Sequence, residues 1–270
     1  RTSPAEVKRA MEQQFNLHLQ FDGLPENLNN FDDLFAKVLL KGKTVLGCYM
    51  HPADKMPDQL DLSIDPFYRE SIRGRTRSRN PDLRLNNLLM QAEGLTIAIP
   101  ALNSASATAF FNAAPDSDNI VRSNPLVYAF GAERIYPSLA LESLRLHLNV
   151  PACFVEYDEL GVLGVKLKDY FIPTDRQGRV VVNYRTVHQD SRTGFSSSFP
   201  SYSAQDVIEG KLPPGALTGK IVFVGTSAVG LKDVKATPLT QAFSGVEVHA
   251  TIVDNILSND VLENPNMMIG

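Results

Sequence analysis

Cysteine is scarce in this chain of 270 residues: Cys48 and Cys153 are its only two. Two are too few for a disulfide framework, and they lack the spacing of a metal-ligand pair. Such sparing use fits cytosol or periplasm equally, and two separate buried thiols are expected in preference to a Cys48–Cys153 bridge. Long apolar runs are missing as well. No window approaches the roughly 18 consecutive apolar residues of a membrane span, and no signal peptide is recognisable. Positive charge is not in excess. With 26 basic against 30 acidic residues, a net charge of −4 and a pI near 5.8, the chain has no global attraction for nucleic acid or an anionic membrane. His18, His51, His147 and His188 are scattered without metal spacing. No repeat of solenoid period and no low-complexity linker occurs.

What is present reads as an α/β protein. Ser3-Pro4-Ala5-Glu6 is a capping box with proline at the first helical position, followed by the apolar stripe Val7, Ala10, Met11 and Phe15. Phe31, Leu34, Phe35, Val38 and Leu39 predict a second helix, stopped by Gly42 and followed by a strand over Thr44–Met50. The same order is expected again, with a helix over Leu83–Ala92, a stop at Gly94 and a strand over Leu95–Ile99. Strands are predicted at Thr108–Asn112 and Pro125–Phe130, around the turn-rich 115–119. Pro137 opens a leucine-rich helix, PSLALESLRLHL, apolar over an arc wide enough to pack on more than one side. Val162–Tyr170 and Gly178–Arg185 read as an antiparallel hairpin, and a short helix is expected near Ser203–Gly210. A buried strand at Ile221–Gly225 precedes a final helix with a Ser244/Glu247 capping box and an apolar face of Val246, Ala250, Val253 and Leu257. The expected architecture is one domain over 1–270, a layered mixed sheet with helices on both faces.

The stretch from Gly219 to Leu257 invites catalytic readings. Gly225 and Gly230 have phosphate-loop spacing, but Leu231 stands where that loop needs lysine, which excludes it and leaves no cofactor expected. Ser227 sits in something like a nucleophile elbow, yet Val229 replaces the second glycine. Ser227, Asp233 and His249 follow in the order of a triad, so a serine-type hydrolase is retained as an alternative. In the favoured reading small residues let the chain leave the strand tightly, Glu247 caps its helix, and His249 packs in the core. Five arginines between Arg69 and Arg79, with Arg84 beyond, could meet phosphate or lipid headgroups; a solvated, mobile loop without nucleic-acid binding is the expectation.

The wording of this stretch carries a resemblance. GKIVFVGTSAVGLKDVKATPL, then GVEVHATIVDNIL, resembles the C-terminal signature of the type-two CHASE domain, an extracytoplasmic sensory domain. Asp116-Ser-Asp118-Asn-Ile-Val-Arg122, Tyr136–Glu142, Ile172–Asp175 and Gly178–Arg185 agree in order, so specific wording covers about residues 110–258. The resemblance implies a periplasmic or extracellular input module of a cell-membrane receptor. It would be anchored by flanking transmembrane helices and would feed an adenylate cyclase, histidine kinase, diguanylate cyclase or protein kinase. It also implies an extra N-terminal strand, expected upstream of Arg1. The chain begins without methionine and ends in the apolar-leaning NPNMMIG, as a fragment of a longer protein would. The expected ligand, a small molecule or periplasmic protein, is placed at Thr226, Ser227, Asp233 and Thr237, with Arg122 and Arg185 contributing. The two arginines suit an anionic ligand or tie loops together. A non-sensing homodimerisation module is the other alternative.

Overall fold

The computed structural model describes residues 3–23, 29–53, 65–186, 188–189, 196–226 and 233–263. Its helices are α1 (Pro4–Phe15), α2 (Phe31–Leu39), α3 (Pro100–Ser104), α4 (Leu139–His147), α5 (Ala204–Ile208) and α6 (Gly245–Leu257). The strands begin with β1 (Val45–His51), β2 (Ile72–Thr76), β3 (Gln91–Ala92), β4 (Gly94–Thr96), β5 (Ala107–Phe110), β6 (Ser123–Pro125), β7 (Val127–Phe130) and β8 (Arg134–Pro137). They continue with β9 (Cys153–Asp158), β10 (Gly161–Leu167), β11 (Tyr170–Pro173), β12 (Arg179–Val181), β13 (His188–Gln189), β14 (Ser196–Ser197), β15 (Val234–Lys235) and β16 (Phe243–Ser244).

The α/β class and the mixture of parallel and antiparallel pairs are as the sequence predicts. Among the described residues the strands are shared among small sheets, ordered β4-β1-β5, β11-β10-β9-β2, β12-β6, β13-β14-β16-β15 and β3-β7-β8. One apolar core joins the inner face of the β2–β9–β10–β11 sheet to α4 and α6, with Leu141, Leu144, Val155, Val165 and Ile252 at its centre. A second cluster holds Cys48, Met50, Leu95, Phe110, Tyr128 and Tyr136 around β1 and β5. Each fully buried leucine or isoleucine contributes about 1.5–3 kcal/mol. Cys48 and Cys153 are both free and buried, and burial pushes the Cys153 thiol up to about 12.

Local chemistry explains where helices start. The Ser3/Glu6 capping box forms in both directions, Glu6 N to Ser3 Oγ at 3.3 Å and Ser3 N to Glu6 Oε2 at 2.7 Å. Asn30 caps α2, Ser203 caps α5, and Ser138 caps α4 by accepting from Leu141 N at 3.2 Å.

Several expectations are corrected. The helix over Leu83–Ala92 shrinks to one 3₁₀ turn at Leu85–Leu88, because Asn86-Asn87 favours local backbone contacts and the chain then turns into β3. Pro137 does not open α4; it ends β8, and the helix starts after Ser138. Val162–Tyr170 and Gly178–Arg185 do not pair. The two-residue connection at Lys168-Asp169, with Lys168 at φ 53°, folds β11 onto β10 first. β12 pairs with β6 instead. Residues 69–79 are no loop: Ile72–Thr76 forms β2, parallel to β9. Ile221–Gly225 joins no ladder among the described residues, and Val222 and Val224 are 51% and 87% exposed. The face of α6 is partly turned from the expected one. Val253 is buried and Val246 and Ala250 are half-buried as expected, but Leu257 is exposed and the deepest positions are Val248, Ile252 and Ile256. The Ser244/Glu247 capping box does not form. Ser244 lies in β16 and makes no side-chain cap bond, while Glu247 Oε2 accepts from Ser198 N at 3.2 Å.

Candidate functional site

Four of the residues expected at a ligand site, Arg122, Arg185, Asp233 and Thr237, have local partners in the structure. Arg122 is held by Asp118 and Asp116, with Nη2–Oδ2 and Nη1–Oδ2 distances of 2.8 and 3.0 Å. These bonds hold the Asp118 carboxyl down to about 2. Arg185 clamps the end of α6 through Asp254, at 2.7 Å, and Asp260. Both arginines therefore tie loops together. Thr237 is buried and closes its own turn, donating to Thr240 O at 3.2 Å and accepting from Thr240 N at 3.3 Å. The Asp233 carboxylate rests against Gly245 at the first turn of α6, where any Cβ would overlap it, a place a helix dipole favours for an anion. Asp233 and Asp254 thus sit at opposite ends of that helix, about 14 Å apart along its axis. Thr226 is exposed, and Ser227 lies outside the described residues.

The triad geometry is absent from Asp233 and His249. The His249 ring is buried, its Nε2 donates to Phe111 O at 3.3 Å, and its Nδ1 has no hydrogen-bond partner among the described residues. Burial holds its pKa down to about 4, so it is a neutral core residue. Among the described residues Asp233 pairs with Lys235, at 3.9 Å.

A cavity of about 290 Å³ lies elsewhere, between the end of α2, the Asp65–Ser71 segment, the start of β5 and α4. Its size is at the lower end for small-molecule sites. Its floor is a closed polar network. Thr108 Oγ1 donates to Asn103 Oδ1 at 2.6 Å, and Asn103 Nδ2 donates to Asp65 Oδ1 at 2.7 Å. Phe67 N supplies a second donor to the same oxygen at 2.9 Å, and Tyr136 OH donates to Asp65 Oδ2 at 3.2 Å. Burial, then the charge of Asp65, pushes the Tyr136 phenol well up, so it stays a donor. Tyr68 fastens the same segment to β8 by exchanging two 3.2 Å bonds with Ile135.

The opposite wall is an ion pair on α4. Arg145 Nε and Nη2 meet Glu142 Oε2 and Oε1 at 2.8 and 2.6 Å, with the two side chains 14% and 4% exposed. Arg145 Nη1 also donates to Val150 O at 2.7 Å. At the rim Lys43 reaches Asn149 Oδ1 at 2.6 Å, and Arg69 has no ion-pair partner among the described residues. The arrangement sets two exposed cations, Lys43 and Arg69, over a floor whose Asp65 carboxylate has its bonds made, with Glu142 neutralised by Arg145. Sequence reasoning missed this site. Its only linear signal is Glu142 and Arg145, three residues apart on a helix otherwise apolar almost all round.

A family model described as the CHASE2 domain matches residues 7–269, nearly the whole chain. No curated protein and no solved structure matches the chain. CHASE2 domains form an extracellular, sensory and non-catalytic family. No helix among the described residues is long and apolar enough to cross a membrane. With the match spanning the α/β fold from α1 past α6, the chain belongs to the CHASE2 domain family.

Proposed function

We propose that this chain is the extracytoplasmic sensory input of a transmembrane receptor. Its ligand is a small organic anion held in the cavity beneath Lys43 and Arg69. The family match over residues 7–269 carries the sensory reading, and the cavity supports the choice of ligand. The output is a cytoplasmic enzyme of the adenylate cyclase, histidine kinase or diguanylate cyclase type.

The fold supports a relay from the cavity toward the C-terminal end of the described chain. Glu142 and Arg145 line the cavity from α4, and α4 packs against α6. The last described residues follow α6 directly. A ligand that binds one α4–α6 packing better than another shifts their populations by the difference in affinity, and that difference is the signal.

The experiment places the domain relative to the membrane in the full-length parent protein. Both thiols of these 270 residues are buried, so an added cysteine at the exposed Lys211 (Lys211→Cys) reports alone once any cysteine outside them is replaced by serine. A membrane-impermeant maleimide is expected to label it in spheroplasts. Labelling only after the cytoplasmic membrane is permeabilised contradicts the reading.

A further inference from the structure

Strand β2 has an alternation that the arginine count hides. Ile72 is buried, and a Cβ on Gly74 would meet Tyr157 and Leu85 at 3.1 and 3.4 Å, so positions 72 and 74 face the core. Arg73 and Arg75 consequently share the outer face of the β11-β10-β9-β2 sheet, with Arg77 following just beyond the strand. Backbone register carries the same face across the sheet. Arg73 lies opposite Phe154, Phe154 opposite Lys166, and Lys166 opposite Phe171. The result is a cross-strand row of arginine, phenylalanine, lysine, phenylalanine.

The row is open to solvent at both ends. Arg73 is exposed and Phe171 is 44% exposed, while Phe154 and Lys166 are half-buried between them. Phe171 is laid over Gly164, where a Cβ would come within 2.5 Å of its ring. Arg75 stacks on Phe154 at 4.8 Å from the ring centroid. Among the described residues Lys166 Nζ donates to Asp169 O, at 3.2 Å, and has no ion-pair partner. On this face Glu156 is engaged by Arg75 and Arg77, and Asp158, two residues on, accepts from Leu160 N at 2.8 Å. Six arginines against two acids in residues 69–84 thus concentrate positive charge on a chain whose acids outnumber its bases by 30 to 26.

We propose that this sheet face docks on the surface of an anionic lipid bilayer, resting on the membrane-anchored placement argued above. Cations on long stems flanking exposed apolar rings are what an interfacial surface needs: rings enter the headgroup boundary while ammonium and guanidinium groups stay among the phosphates. The face is four strands wide. Its far edge lies by the end of the described chain, because Val261 and Glu263 line the same recess as Phe171 and Pro173. Docking there orients the ligand cavity and α6 relative to the bilayer.

Vesicle co-flotation of the 270-residue chain tests this. Vesicles of equimolar phosphatidylcholine and phosphatidylglycerol are expected to carry the protein at low salt and release it at high salt, and pure phosphatidylcholine vesicles are not. Arg73→Gln combined with Lys166→Gln lowers partitioning about 30-fold, at about fivefold for each cation. Phe171→Ser lowers it about tenfold. Lys211→Gln, a surface lysine away from the face, changes nothing, and unchanged melting temperatures show that each variant is folded. Equal partitioning of wild type and the double variant overturns the proposal, as does equal binding to both vesicle types. Binding to a soluble polyanion such as polyuronate without vesicle binding also overturns it, in favour of a glycan partner. None of these outcomes bears on maleimide labelling, so the sensory placement stands or falls separately.

Discussion

Lowering the pH from about 7 to about 4.5 should destabilise this domain through one residue, His249. The imidazole is buried in α6 against Phe111 O, and desolvation takes its pKa from 6.5 to about 4. Above the unfolded value the ring is neutral in both states and costs nothing. As the pH falls below about 6.5 the unfolded chain binds a proton that the folded chain refuses, so stability drops until the folded pKa is reached. The full loss is about 3 kcal/mol, of which about 2 kcal/mol is gone by pH 5. That is a large share of the 5–15 kcal/mol typical of a domain. Glu247 acts in the opposite sense, because its half-buried carboxyl is raised by desolvation and gains stability on protonation. The comparison must therefore be between wild type and His249→Gln, which can still donate to Phe111 O but cannot titrate. Urea unfolding midpoints across this range should fall steeply for wild type and much less for the variant. Parallel curves would refute the argument that a neutral, desolvated imidazole is what the fold requires.

Other predictions concern the cavity walls and the sheets. Arg145→Met leaves the Glu142 carboxylate buried without its partner and should cost about 3–5 kcal/mol in urea denaturation, whereas replacing both residues by apolar ones should cost less. Gly164→Ala places a methyl group 2.7 Å from Ile172 O, a backbone atom that cannot step aside, and should lower stability by about 1–3 kcal/mol in the same assay. Cys48 and Cys153, buried and with thiol pKa values raised by burial, should react with a thiol reagent only at the rate of unfolding. A serine-reactive fluorophosphonate should not label Ser227; Ser227-dependent labelling would revive the hydrolase reading.

Elements written in local chemistry were legible. The capping box at Ser3 and Glu6, the stripe from Phe31 to Leu39 and the short helix after Ser203 form where expected because neighbours in sequence decide them. Pairing was not legible. Whether β10 meets β11 or β12 depends on a two-residue turn at Lys168 and on which partner arrives first, and no periodicity records that. The arginine run looked like a loop because charge suggested solvent, yet β9 supplies a ladder for Ile72–Thr76 and Ile72 is buried. The local bonds at the expected site were no more legible. Arg122, Arg185, Asp233 and Thr237 are polar residues beyond strands and turns, but each has a local partner that uses it up. The cavity escaped notice because Asp65, Asn103 and Tyr136 are brought together from three separate segments.

The central claim is that ligand enters beneath Lys43 and Arg69. A thermal-shift screen of small carboxylates and phosphates, run in parallel on wild type and on Lys43→Ala/Arg69→Ala, tests it most directly. Specific binding raises the melting temperature by mass action. A compound is expected that stabilises wild type and Thr226→Ala alike but leaves the double variant unmoved. A stabilising compound whose effect survives in the double variant and disappears in Thr226→Ala would contradict it.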